Sequence, residues 1–441
     1  MKLKTDKPWI VASVLESKVT RRRLLGDIGK VAAGAVLASP VAALLDACGG
    51  DNTGGGGGTK VSSVRIAGVI GLTGAVAFYG AAARDGTKHV FDAINASGGL
   101  KGLGGAKIDF VVYDAGDQPT NASSLTQRAF DEGAVLALGC GNGALALTAS
   151  QAAAQLAKPF VVGDPTSNMT TRGLTNLVQV GPVATIYALQ LIDETIALMQ
   201  NNGTPLKKAA IVRVQNVTYN QLSPDITSYL NSKGVEVFDI TYPTTQTTFG
   251  SIVGQVKNSG AQVMFELSTP ADGVGIVRAA KVQSYQPTAI AGLVGAYADP
   301  SFWSQLGPDA EGLYGLVQFD TALPYSWLPG EIDKWNSTYG SNRPLDAFSA
   351  LYMSVGATVV DALNRAGSTS SEQILKALKA TKLNNKTRFV TIPGGVAFSD
   401  KGANTAGEGV IVQYQNGKIV PIAPAGSALA KPVFPKPNWT G

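Results

Sequence analysis

His89, Cys48 and Cys140 are the whole imidazole and thiol complement of the 441 residues. A Ser-His-Asp relay or a His-containing zinc site would have to rest on that single imidazole, and no GxSxG elbow accompanies it. His89 follows Lys88 in a helical run whose apolar positions are Val90, Phe91 and Ile94, which predicts a surface position. Carboxylates stand closer to where chemistry would be done. Asp114, Asp164 and Glu266 lie in or just after apolar runs, and Asp272 follows a few residues later. A carboxylate or lysine mechanism stays open at this level, but no nucleophile-base pair is legible.

The elements that must position these groups alternate regularly. "VRIAGVI", "KIDFVVYD", "AVLALG" and "PFVVGD" read as buried strands, separated by helical runs over 79–97, 120–133 and 145–157. The series restarts with "KKAAIVRV", "VEVFDITYP", "AQVMFEL" and "TAIAGLV", with helices over 221–233, 248–259 and 272–285 between them. Apolar strands alternating with helices predict βαβ units and parallel sheets covered on both faces. A body from about 61 to 425 is too long for one core, so the repeat predicts an α/β fold of two lobes. Lobe 1 is expected to comprise 61–181 plus 318–393 and lobe 2 182–317 plus 394–425, joined by three crossings, with a C-terminal tail over 426–441.

The N-terminal stretch is a different kind of sequence. "TRRRLLG" precedes "VAAGAVLASPVAALL" and then "LDAC", a basic, apolar, small-residue order that reads as an export signal over 1–47. The apolar run falls short of the roughly 20 residues that span a bilayer. Arg21 and Arg22 look like a twin-arginine signal, and Cys48 ends what resembles a bacterial lipobox, so it is the expected lipidation site; a plain secretory signal is the alternative. The glycine-rich tether 48–60 then gives a reach of roughly 20 Å. The whole chain has 36 Lys and Arg against 31 Asp and Glu, but residues 1–47 hold 8 and 4, leaving 28 against 27. That balance offers no basic face for nucleic acid. With Cys48 lipidated, Cys140 has no disulfide partner and is expected to be a small buried hydrophobe.

In open α/β sheets ligands bind beyond the carboxyl ends of the strands. Here those loops are "GLTGAVAFYG", "DAGDQPT", "GCGNGALAL", "GDPTSNMT", "QNVTYNQ", "STPADG" and "VGAYADP", rich in small, hydroxyl and amide residues with a few aromatics. Such groups orient a small ligand by hydrogen bonds. The ordered combination, from "IAGVIGLTGAVAFYGAAARDG" through "LGCGNGALALTASQ" to "YNQLSPDITSYLNSKGVEV", resembles the leucine/isoleucine/valine-binding family of type I periplasmic solute-binding proteins over about 61–420.

The resemblance implies two Rossmann-like lobes with mostly parallel sheets that close on a solute and present it to an ABC permease in the cytoplasmic membrane, with no reaction and no cofactor. It implies an exported, lipid-anchored protein at the outer face of the cytoplasmic membrane or in a periplasm, expected to act as a monomer. Residue by residue, Thr73, Phe78 and Tyr79 would reach into the cleft from the first strand. Asn142, Gly143 and Ala144 would take a ligand carboxylate at a helix N-terminus. Asp164, Pro165 and Ser167 follow the fourth strand, and Tyr219 and Thr269 would close from the second lobe. Amino-acid binders of the family place an acid for the ligand ammonium where this chain has Val294, and 292–298 contain none. An α-amino acid therefore requires Asp164, Glu266 or Asp272 to supply the charge; otherwise the ligand tilts toward an amide or an aromatic or aliphatic acid. The half-cystine that ties the "GCGNG" loop in some relatives is missing from "DAGDQ", which predicts a looser loop. Two other classes stay open. An exported NAD(P)-dependent oxidoreductase would use the GxxGxxG pattern of Gly68, Gly71 and Gly74, which departs from GxGxxG. A ligand-sensing receptor module would use the same fold without a transporter.

Overall fold

The computed structural model describes residues 61–440 except 167, 216, 294–296, 298–300 and 342. The export signal, Cys48 and the whole of the tether, as well as Ser167 and Val294, therefore lie outside the described residues. From the first strand the elements are β1 (Ser63–Ile70), α1 (Ala77–Ala96), β2 (Lys107–Asp114), α2 (Pro119–Asp131), β3 (Leu136–Cys140), α3 (Gly143–Gln155), β4 (Phe160–Val162) and β5 (Leu177–Gln179). These five strands form one parallel sheet in the order β2-β1-β3-β4-β5. Next come α4 (Ala184–Asn201), β6 (Lys208–Val214), α5 (Val217–Ser232), β7 (Glu236–Tyr242), α6 (Gly250–Ser259), β8 (Val263–Leu267), α7 (Pro270–Val282), β9 (Ala289–Gly292), α8 (Ser301–Leu306) and β10 (Tyr314–Val317). The chain then runs through α9 (Leu328–Tyr339), α10 (Ala347–Ala366), α11 (Ser371–Lys379), the short β11 (Lys382–Leu383) and β12 (Val396–Ala397), and ends in β13 (Val410–Gln415) and β14 (Lys418–Ala423).

The second sheet has the order β14-β13-β10-β9-β8-β6-β7, parallel except where β13 meets β10 and β14. The fold is α/β, with mostly parallel strands in two lobes. Each sheet carries an apolar core on both faces, which is why β3 and β8 are buried at every position rather than alternating. Trp335 of α9 and Ile374 of α11 lie in the same core as Ile66 of β1, so the chain returns to the first lobe after β10 and leaves it again before β13. Three crossings result. The first and third run side by side: the Asn404 amide donates to the Val180 carbonyl at 2.9 Å and the Gln179 N–H to Gly402 at 2.8 Å.

The predicted strands all form, and the helix ends shift for local reasons. Helix α7 begins at Pro270 because Thr269 caps it and proline suits the first turn. It stops at Val282, ahead of Ser284 in the left-handed region at φ 50°. The surface position expected for His89 is corrected by the packing of α1. Helices α9 and α10 both cover α1, so His89 is 8% exposed, lies against Trp335 and shares a hydrogen bond of 3.0 Å with Glu331. Burial alone would push the Glu331 carboxyl up, yet His89, Lys334 and Arg388 hold it at about 2. Beyond β14 the chain lies along the second sheet. Val433 N–H donates to the Gln413 side chain at 2.7 Å, Lys436 N–H to Thr288 at 2.9 Å and the Trp439 indole to Tyr285 at 2.8 Å.

Helices α1 and α10 meet backbone to backbone. A Cβ at Gly86 would stand 2.1 Å from the Ser349 carbonyl oxygen, so this crossing tolerates no side chain. Gly86→Ala is expected to lower folding stability by about 1–3 kcal/mol, read as a drop in the urea midpoint; an unchanged midpoint would show that the two helices separate freely.

Candidate functional site

Each sheet reverses its strand order once around its first strand, at β1 between β2 and β3 and at β6 between β7 and β8. The carboxyl ends of these strands are where an α/β sheet leaves a crevice. On the first lobe the crevice is walled by the turn after β1. The chain folds back so tightly that a Cβ at Gly80 would lie 1.8 Å from the Gly71 carbonyl. Asp114 anchors the turn by accepting from Leu72 N–H and Gly116 N–H, both at 2.8 Å. Burial pushes its carboxyl up, but these amides outweigh that and hold it below the usual range. Asp114 is thus engaged with the turn's own backbone, the place where a dinucleotide reading would need it for a ribose.

The turn presents Thr73, Phe78 and Tyr79. All three are exposed, and Phe78 at 64% is unusually so for a large hydrophobe. Phe78 and Tyr79 meet edge to face at 5.3 Å between centroids, and Phe348 joins them at 6.4 and 4.8 Å. Phe348, in the first turn of α10, was not legible from the sequence as a site residue. Its signal is the Asp346 cap, which accepts from Phe348 and Ser349 N–H at 2.9 Å and fixes where the helix begins.

Asn142 caps α3, accepting from Ala144 N–H at 2.9 Å and Leu145 N–H at 3.3 Å. The Ala144 amide assigned by resemblance to a ligand carboxylate is therefore satisfied within the cap. Gly143 is half-buried, and a Cβ there would strike the Thr166 hydroxyl at 2.3 Å. Pro165 accepts from Ala184 N–H at 3.2 Å, which docks the start of α4 on the loop after β4. Asp164, expected as a ligand contact, is buried and already partnered within the fold. It is 8% exposed, and its Oδ2 accepts from Cys140 N–H at 3.0 Å and from the Tyr352 hydroxyl at 3.2 Å, while that hydroxyl accepts from Gly141 N–H at 2.9 Å. Burial pushes its carboxyl up despite these bonds. The network does for the "GCGNG" loop what the missing disulfide would do. Cys140 itself is a free, fully buried thiol.

On the second lobe, Tyr219 on the first turn of α5 is half-buried. Burial raises its phenol, with smaller contributions from the charges of Tyr79 and Asp272. Thr269 is exposed and caps α7, its hydroxyl accepting from Asp272 N–H at 3.2 Å. Glu266 is fully buried at the penultimate position of β8. The Tyr297 hydroxyl donates to one oxygen and Ser268 to the other at 2.9 Å, yet burial dominates and pushes the carboxyl up to about 8. The structure thus sets Thr73, Asn142 and Gly143 just beyond the carboxyl ends of the first sheet's strands and keeps Asp164 and Glu266 buried.

Residues 63–418 match the family model of the periplasmic binding proteins. The chain belongs to that family. The Leu/Ile/Val-binding protein homolog 7 of Brucella abortus is 24% identical over 385 residues, covering 85% of this chain and 95% of the relative. Two solved structures share the fold. The branched-chain amino acid transporter substrate-binding protein of Streptococcus pneumoniae, in complex with isoleucine, superposes with a TM-score of 0.62 at 18% identity, covering 81% of this chain and 97% of that one. A solute-binding protein of an ABC transporter from R. palustris, in complex with benzoate, gives 0.61 at 18% identity, covering 84% and 98%. The family is one of solute-binding proteins rather than enzymes, and membership implies an exported, periplasmic protein. Its ABC-transporter members bind a small solute and a permease.

The buried Glu266 sets a pH test. Its folded-state value of about 8 lies above the ordinary 4.5, so between those values the unfolded chain releases a proton that the folded chain keeps. Stability contributed by the neutral carboxyl is full below about 4.5 and is lost as pH rises toward 8. Glu266→Gln is expected to flatten that loss in urea titrations across this window. An equally steep loss in the variant would assign it to other groups.

Proposed function

We propose that this protein is the solute receptor of an ABC uptake system, capturing a small amino-acid-like, amide or aromatic or aliphatic carboxylate solute between lobes that close about the three crossings. In this reading lobe 1 comprises 61–181 plus 318–393 and lobe 2 182–317 plus 394–425. The solute is delivered to a permease, no cofactor takes part, and the protein works as a monomer. The observation that carries the reading is the exposed edge-to-face group of Phe78, Tyr79 and Phe348 at the carboxyl end of β1, in a chain whose residues 63–418 match the periplasmic binding proteins. A solute held between that surface and the second lobe stabilises the closed form.

The solute's contacts are drawn from Thr73, Phe78, Tyr79, Asn142, Gly143, Ala144, Pro165 and Ser167 on one side and Tyr219, Thr269 and Val294 on the other. The exposed Phe78–Tyr79–Phe348 group supports an apolar body on the solute. The R. palustris neighbour's benzoate and the S. pneumoniae neighbour's isoleucine support the two ends of the class. Export through Arg21 and Arg22 and a lipid on Cys48 would hold the folded body just off the membrane on its glycine tether.

A thermal-shift screen of the full chain against leucine, phenylalanine, short amides and benzoate tests the reading. A solute at 100 times its dissociation constant adds about 2.7 kcal/mol, and Tyr79→Ala is expected to weaken the same solute by about tenfold, roughly 1.4 kcal/mol. Stabilisation by NAD(P) alone would overturn it.

A further inference from the structure

The loop after β4 is gripped from both lobes through three consecutive carbonyls. The Gln179 side chain, at the end of β5, donates from Nε2 to the Asp164 carbonyl at 2.7 Å and to the Thr166 carbonyl at 2.9 Å. The Pro165 carbonyl between them accepts instead from Ala184 N–H at 3.2 Å, at the first residue of α4. Helix α4 packs in the core of the second lobe, with β6 and β8. One short loop at the carboxyl end of a first-lobe strand is therefore bonded to the first lobe at its outer carbonyls and to the second at its middle one.

The main chain of Gln179 carries the connection further. Its N–H donates to Gly402 at 2.8 Å and its carbonyl accepts from Asn404 N–H at 3.0 Å, which bridges the residue to the third crossing. The Asn404 amide beside it is satisfied at both ends. Its Nδ2 donates to the Val180 and Gly395 carbonyls at 2.9 and 3.1 Å, and its Oδ1 accepts from Ala397, Ala406 and Gly407 N–H at 3.1, 3.0 and 3.2 Å. Gln179 differs. It has no exposed surface, and its Oε1 is buried without a donor among the described residues. An orphaned buried acceptor is costly, and an apolar side chain would fill the place without one. What glutamine adds here is the pair of N–H groups aimed at the loop. The first crossing is also pressed directly onto that loop, since a Cβ at Gly181 would stand 2.1 Å from the Gly163 carbonyl oxygen.

We infer that Gln179 is a positioning residue that couples the loop after β4 to the angle between the lobes. Rotation of the second lobe about the crossings moves α4, and α4 draws on the Pro165 carbonyl. Gln179 meanwhile holds the carbonyls on either side of it to the third crossing. The loop therefore has one arrangement in which both grips are made, and a solute resting on it favours the lobe angle that permits that arrangement. This rests on the solute-capture reading above and goes beyond it, because it names the residue through which occupancy of the crevice reaches the hinge. Gln179, being fully buried, makes no solute contact of its own.

Amide hydrogen exchange resolved by residue in the full chain tests the coupling. The reporters are Met169 N–H, bonded to the Thr166 carbonyl at 3.3 Å, and Ala184 N–H, while Ile66 in β1 and Val90 in α1 report on the first lobe as a whole. Gln179→Met removes the two donors and the orphaned acceptor together. It is expected to speed exchange at Met169 and Ala184 about tenfold, with Ile66 and Val90 unchanged. Ala184→Pro removes the other grip where proline suits both the first helical turn and the extended Val183 before it, at φ -65° and ψ 146°. It is expected to speed Met169 to the same extent. Because the grips act together, the double variant is expected to be no faster at Met169 than either single one. Multiplied effects, unchanged exchange at Ala184 in Gln179→Met, or equal acceleration at Ile66 and Val90 would each overturn the inference. Met169 unmoved by Ala184→Pro overturns it even where Gln179→Met does not fold. In the wild type, L-leucine, L-phenylalanine or benzoate at millimolar concentration is expected to slow Met169 and Ala184 together. Slowing of Met169 alone overturns the inference, whereas no slowing by any probe counts against the solute-capture reading and leaves the coupling to be decided by the variants.

Discussion

The crevice depends on one buried carboxylate. Asp164 is nearly shut off from water, and an ion in that position is costly unless donors replace its hydration. Cys140 N–H and the Tyr352 hydroxyl do so, and Tyr352 in turn receives Gly141 N–H. Three separate stretches of sequence, the loop after β3, the loop after β4 and helix α10, are thereby fixed to one another. The start of α3 follows directly from that loop, so the place of its first turn is set by a buried group. Removing the carboxylate would leave amides unsatisfied in an apolar interior, which is why the site cannot be understood from its exposed residues alone.

The two jaws solve the same geometric problem with different chemistry. On the first, a strand turns into a helix so closely that the backbones of Gly71 and Gly80 touch, and the turn is held by Asp114 rather than by any bound phosphate. The exposed aromatic rings that result are stabilised among themselves edge to face. On the second, polar groups cluster: two carboxylates, three phenols and two hydroxyls share a small volume around the ends of β6, β7 and β8. Burial favours the neutral forms of Glu266 and the three phenols, and Asp272 stands half-buried beside Tyr242. The first lobe thus presents apolar surface at its strand ends and the second presents polar groups.

The strand sequence was legible because a parallel strand covered on both faces is a continuous apolar run, and runs such as "AVLALG" and "VMFEL" have no other comfortable place. Tyr79 and Tyr219 were legible as residues just past strand ends. What was hidden depends on contacts distant in sequence. His89 looks exposed from its own helix and is buried only because α9 and α10 arrive more than 200 residues later to cover it. The role of Asp164 is invisible without Tyr352, and Phe348 joins the crevice solely through the return of the chain after β10. The burial of Asp164 and Glu266 depends on Tyr352 and Tyr297, partners distant in sequence that no local pattern encodes.

That return has a consequence for how the molecule is made. The first lobe is opened by β1 and α1 but lacks α9, α10 and α11 until nearly the whole chain exists, so its core cannot be sealed while the ribosome is still adding the second lobe. Contacts of such long sequence separation form slowly and leave apolar surface exposed in the interim. The second lobe's central parallel strands, by contrast, arrive as one uninterrupted stretch from β6 to β10. The jaw that is encoded first is therefore the one completed late, and the nascent protein must be kept from aggregating through most of its own synthesis.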